Sequence, residues 1–175
     1  MAIIVGYHTL EDRENPEEIL KSGPKKCFNK TAWLGYGYYF WDTEIMWAHS
    51  WLKDRDYMIF KADIEINENT FDLLGNVQHT IDFEKYYKDL NEILKRLKKP
   101  NATVPQVIDY MKRSTDFSKN YNSIRAYDEP KNKQYYYRAS GGESFYLNKR
   151  VQICLIDKTN LSLQTFSIVY PEKYK

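Results

Sequence analysis

Three histidines, His8, His49 and His79, are the side chains whose ordinary pKa lets them exchange a proton near neutral pH. His8 alone has the placement of a site residue: it ends the short apolar run 3–8, whereas His49 falls in a helical pattern and His79 in a polar turn. Aromatic chemistry is concentrated farther on. The stretch from Trp33 to Trp51, WLGYGYYFWDTEIMWAHSW, holds all four tryptophans, and Gly35 and Gly37 precede its central run of rings. Glycine lets a backbone turn tightly and approach a ligand closely. A wall of rings suits a flat ligand, above all one with cationic character. On a strand Tyr38 and Tyr39 point to opposite faces, so only one of them can serve such a wall. Aromatics punctuated by glycine also build ordinary cores, and residue types alone favour that plainer account.

The elements that must position these residues are legible from periodicity and punctuation. Residues 3–8 read as a first strand with Tyr7 and His8 at its C-terminal end. Asn15 then caps a helix with Pro16 at its first position and Gly23-Pro24 as its stop. The basic stretch 25–32 reads as a loop leading into the tryptophan stretch. That stretch reads as turn, strand, a cap at Asp42 or Thr43, and a helix carrying Ile45, Ala48, Trp51 and Leu52. A strand is expected over 57–66 and a brief apolar element over 71–74. The clear helix of 81–97 ends at Pro100, with its lysine and arginine cluster read as a solvated helix end. Thr103 caps a shorter helix with Val107, Ile108 and Met111 inside. Residues 114–150 are loop-rich, with strands expected at 123–127 and 144–147, and the final strands are 151–157 and 164–170. Strands and helices do not alternate regularly, so a mixed α+β domain is expected over the whole of 1–175.

Bulk properties narrow the classes. A chain of 175 residues can bury roughly two-thirds of its unfolded surface, enough for one core without staples. The net charge of +2 is too small to argue for a nucleic-acid partner by itself. Cys27 and Cys154 lack His or Cys partners at metal-ligand spacing, so they read as reduced thiols and no metal site is expected. No apolar run has the length of a membrane span, and the N-terminal one is too short for a signal-peptide core. A cytoplasmic protein with no membrane partner is the expectation.

Tyr7-His8-Thr9, the G-x-G-x-Y-F of residues 35–40 and Ala48, nine residues after Tyr39, together resemble the diphtheria-toxin-like and poly(ADP-ribose)-polymerase-like ADP-ribosyltransferases. W-L-G-x-G-x-Y-F-W is similar to a group of bacterial proteins with that fold. The resemblance spans His8 to about Asp157 and is carried by three short patches. It implies two packed sheets with NAD, as co-substrate, in the cleft between them. It also implies that His8 hydrogen-bonds the adenosine ribose and that Thr9, in place of the usual Gly, gives backbone contacts to the nicotinamide amide. Gly37 then lies in the turn beside the cofactor, and the ring of Tyr39 stacks on nicotinamide.

The family's acidic residue on a late strand falls at Gln152, an H-Y-Q variant of the H-Y-E pattern. A neutral amide can hold a ribose hydroxyl, but it gives no full charge to an oxocarbenium-like transition state and cannot act as a general base. The implied catalytic set is thus His8, Tyr39 and Gln152. Glu143 is the candidate substitute carboxylate, and Arg125 the candidate cation for the pyrophosphate. The loop 128–142, with tyrosines beside Lys131, Lys133 and Arg138, is where the resemblance puts the acceptor. The resulting expectation is an NAD-dependent mono-ADP-ribosyltransferase acting on RNA, DNA or protein, a toxin or phage-defence effector with an antitoxin or other neutralising partner. An NAD glycohydrolase and an inert module binding NAD or ADP-ribose remain open beside it.

Overall fold

A computed structural model describes residues 1–127 and 149–175, together with the backbone of 128, 136–138 and 144–146. The chain opens with β1 (Ala2–Glu11) and α1 (Pro16–Ser22), then β2 (Tyr38–Asp42) and α2 (Ile45–Trp51). β3 (Tyr57–Ile66) and β4 (Thr70–Asp72) follow, and three helices come next: α3 (Val77–Arg96), α4 (Val104–Ser114) and α5 (Phe117–Asn120). β5 (Ser123–Asp128), β6 (Tyr136–Arg138), β7 (Ser144–Tyr146), β8 (Arg150–Leu155) and β9 (Ser167–Tyr170) complete the fold.

The class is mixed α+β. Where two packed sheets were expected, the described strands form one seven-stranded sheet in the order β4-β5-β8-β2-β1-β3-β9, and β6-β7 is a separate ribbon. Continuity comes from β2, which pairs with β1 on one side and β8 on the other. All pairings in the large sheet are antiparallel except β4 with β5.

Period-two alternation sends each strand's residues into different cores. Phe40, Ile153 and Leu155 pack with Met58, Phe60, Ile64 and Phe166 on one face. Tyr39 and Cys154, from the same two strands, pack on the other face beneath α4 and α5, with Leu34, Ile108, Met111 and Phe117. α3 covers that second core with half-buried side chains such as Phe83, Tyr87, Leu90 and Leu94. No residue of α3 is fully buried, as expected of a helix laid over the outside of a core.

Several local expectations change for identifiable reasons. β1 continues to Glu11, since β3 pairs with all ten of its residues, and His8 is therefore inside the strand instead of at its end. α2 is capped by Glu44, whose carboxylate accepts from the Met46 N–H; Thr43 is displaced into positive φ and its hydroxyl donates to Asp42. α3 starts four residues early because the Asn76 side chain accepts from the N–H groups of Gln78 and His79. His79 thereby enters the helix and stacks on Phe71.

Gly37 has a packing reason to be glycine. It bridges to Cys27 just before β2, and a Cβ there would lie 2.5 Å from the Leu155 carbonyl oxygen. That neighbour is backbone and cannot rotate away. Gly37→Ala should therefore lower stability by about 1–3 kcal/mol, the range for overpacking a filled site, as read by urea unfolding.

Candidate functional site

β1 and β2 are a ladder for only two residue pairs, Gly6 with Asp42 and Tyr7 with Trp41. The next pairs in register would be His8 with Phe40 and Thr9 with Tyr39, and neither forms. The strands part there, while β1 stays on β3 and β2 stays on β8. Into this parting opens a cavity of about 310 Å³, lined by His8, Thr9, Tyr39 and Gln152 together with Trp33, Trp41, Trp51, Lys25 and Lys26, among others.

His8 bridges the gap where the ladder fails. Its Nδ1 lies 2.7 Å from the Tyr39 carbonyl oxygen and its Nε2 3.3 Å from the Lys25 backbone nitrogen. A carbonyl only accepts and a backbone N–H only donates, so the ring is the neutral tautomer protonated on Nδ1. Burial pushes its pKa down to about 4, against the raising effect of the Tyr39 carbonyl and with a further lowering from Lys158. A ring contact, 5.2 Å to Phe40 between centroids, adds to these bonds in holding its plane.

Thr9 presents its backbone to the same gap. In an antiparallel strand a residue's N–H and C=O point to one side, and successive residues point to opposite sides, so every second residue shares a side. The Val5 carbonyl accepts from Thr43 N–H at 2.8 Å, on the β2 side. The backbone groups of Thr9 therefore also face β2, at the place where β2 has turned away. Its hydroxyl donates to the Ala48 carbonyl at 3.0 Å and ties β1 to α2.

Tyr39 holds the loop that precedes it. Its hydroxyl donates to the Gly35 carbonyl at 2.7 Å and accepts from Leu34 N–H at 3.0 Å, and burial raises its pKa far above the usual phenol value. The ring is thus fixed in the cavity wall with its polar end satisfied. Gly35 supplies the turn, at a φ of 85°.

Gln152 is buried, and Trp33 donates its indole N–H to the amide oxygen at 2.6 Å. An indole N–H can only donate, which fixes the amide's orientation. The oxygen is engaged by Trp33, and the NH₂ is the end with donors to give. Trp41 lies opposite Gln152 across the β2–β8 ladder and meets Trp51 edge to face at 5.7 Å between centroids.

The other candidates lie elsewhere. Ala126, not Arg125, is the β5 residue opposite Gln152, so Arg125 points to the other face of the sheet. There its guanidinium binds Asp42 at 2.7 Å and Asp72 at 3.2 Å, joining β5 to β2 across β8 and to β4. Gly37 is outside the cavity wall and against β8. Glu143 and most of the tyrosine-rich loop fall outside the described residues. The sequence reading missed Trp33 as the partner of Gln152 and missed Lys25 and Lys26 as cavity residues. Only the basic composition of their loop hinted at the lysines.

The chain is 28% identical over 136 residues to an uncharacterized protein of Methanocaldococcus jannaschii, across 69% of this chain and 62% of that protein. It therefore spans less than two-thirds of that relative's length. No protein-family model matches the chain, and no solved structure matches it.

Two predictions come from this geometry. Unfolded His8 takes up a proton near pH 6.5 and folded His8 only near pH 4, so the unfolded chain binds more protons between these values. The stability carried by neutral His8 is complete above pH 6.5 and is lost as pH falls toward 4. Urea midpoints should fall less steeply over this window in His8→Gln than in the wild type. Arg125→Ala leaves Asp42, which is 8% exposed, without its cation and should cost about 3 kcal/mol or more. Urea unfolding reads this loss.

Proposed function

We propose that the cavity binds NAD and that the chain is an NAD-dependent mono-ADP-ribosyltransferase with a macromolecular acceptor. The observation that carries the reading is that His8, Thr9, Tyr39 and Gln152, four positions matched by the resemblance, line one cavity although they come from three strands. The chemistry of the wall supports it. Tyr39 offers an aromatic face for the cationic nicotinamide ring. Thr9 offers an adjacent N–H and C=O, the complement of a carboxamide's oxygen and NH₂. Lys25 suits a pyrophosphate, whereas the Lys26 ammonium donates to the Ile156 carbonyl at 2.9 Å, and no carboxylate is among the described lining residues to oppose the anion. At about 310 Å³ the cavity is at the small end of ligand sites and suits the nicotinamide riboside half, with the rest of the dinucleotide along its mouth.

Transfer breaks the bond from ribose C1′ to the nicotinamide nitrogen, with the electron pair leaving on nicotinamide, and joins C1′ to an acceptor atom that releases its proton. In this reading His8 stays neutral and acts as a strut, not as the ribose partner that the resemblance implies, since both ring nitrogens are bound to backbone. Gln152 holds a ribose hydroxyl through its NH₂ while Trp33 keeps the amide in place. A toxin or defence role rests on the resemblance alone. One observation favours a second reading, an inert module binding NAD or ADP-ribose: the absence of a described carboxylate on the wall leaves developing positive charge without a counter-ion.

Substitution of Gln152 separates these readings. Gln152→Glu keeps an oxygen for the Trp33 indole and adds a charge beside the ribose, so nicotinamide release should be retained or raised. Gln152→Ala should slow it by roughly 10²-fold, the scale of losing one preorganised polar group. Nicotinamide release and acceptor labelling are measured in parallel. No release by either wild type or Gln152→Glu, with NAD still bound, supports the inert module; equal rates in wild type and Gln152→Ala remove Gln152 from the mechanism.

A further inference from the structure

The loop 24–37, which walls the NAD cavity, carries Lys25, Lys26 and Lys30 and no acidic residue. Its outer side displays two aromatic rings that the core does not use. Phe28 is 69% exposed and Tyr36 46% exposed, and their centroids lie 6.0 Å apart at 58°. Beside them is a second cavity of about 390 Å³ between this loop and α4, lined among others by Lys30, Tyr36, Lys112 and Arg113, with Asp109 as its one carboxylate among the described residues. Asn29 and Ala32 line both cavities, so the two are neighbours across one thin wall.

Lys112 is the informative member. It is half-buried, and among the described residues its ammonium has no ion pair. Asp109 in the same wall attracts it from a distance but is bound to Arg113, so a ligand phosphate would give this partly desolvated cation a direct partner. Lys30 likewise has no ion pair among the described residues, while Arg113 pairs with Asp109 at the surface.

We propose that this face, built on Phe28, Lys30, Tyr36 and Lys112, binds single-stranded nucleic acid. Exposed rings beside unpaired cations give base stacking and phosphate attraction together, the combination that holds unpaired strands without reading sequence. A duplex keeps its bases stacked on one another and offers these rings nothing. A protein surface would need a wider apolar area than two rings set among lysines. If the cavity is the NAD site, which is the reading this extension rests on, a strand lying here passes the wall of that cavity and is placed as acceptor.

Binding of short labelled single-stranded RNA, single-stranded DNA and duplex DNA, followed by fluorescence anisotropy without NAD, tests the surface independently. Single strands should bind and the duplex should bind much more weakly; preference between RNA and DNA identifies the natural strand. Phe28→Ala and Tyr36→Ala should each weaken binding by about tenfold, whereas Phe28→Trp should preserve it. Lys30→Ala and Lys112→Ala should each flatten the dependence of log affinity on log salt by roughly 0.7. None of these four residues lines the NAD cavity, so calorimetric NAD affinity should be unchanged in all of them. Failure of single strands to bind, equal binding of duplex, or unaltered binding by both alanine ring variants would overturn the proposal. Loss of NAD binding with intact strand binding would instead remove the NAD reading alone.

Discussion

The hydrogen bond from His8 Nδ1–H to the Tyr39 carbonyl replaces a backbone ladder, and the site depends on that replacement. Two neighbouring strands that part leave polar groups facing each other across a gap, and such groups must find partners or water. A histidine of fixed tautomer satisfies one edge of the gap and, through Nε2, receives the start of the loop 24–37. The sheet stays continuous through Gly6 and Tyr7, and the opening beyond them persists as a cavity. Burial keeps the imidazole neutral, so the strut does not become a buried charge at physiological pH.

Other fixed contacts make the opening selective in shape. The Tyr39 hydroxyl stitches the turn at Leu34 and Gly35, which puts Trp33 where its indole can hold Gln152. The aromatic wall, the amide and the backbone of Thr9 thus come from elements that are each fixed by a separate bond. The Arg125 pair with Asp42 acts on the opposite face, holding the far end of β2 while the cavity forms on this one. The same loop that seals the cavity shows lysines and rings on its outer side. The two cavities lie on two sides of one segment.

Much of this was legible in the sequence where the signal is local. β3 has the boundaries that alternation gives, and α1 has the Pro16 start and Gly23 stop that punctuation gives. Tyr38 and Tyr39 do take opposite faces. Long-range geometry was not legible. Nothing in the order of residues pairs Trp33 with Gln152, and only the register of β5 against β8 turns Arg125 away from the cavity. The single sheet was hidden for the same reason, since strand order is decided by which edges meet. His79 was misplaced because the Asn76 cap lies inside what reads as a polar turn.

A crystal structure with a carbocyclic NAD analogue that cannot release nicotinamide tests the proposed site most directly. The nicotinamide ring is expected on the face of Tyr39, its carboxamide on the N–H and C=O of Thr9, and the adjoining ribose at the Gln152 amide. An analogue seated away from the parting of β1 and β2, or a crystal in which those strands are paired through Thr9 with no ligand bound, would contradict it.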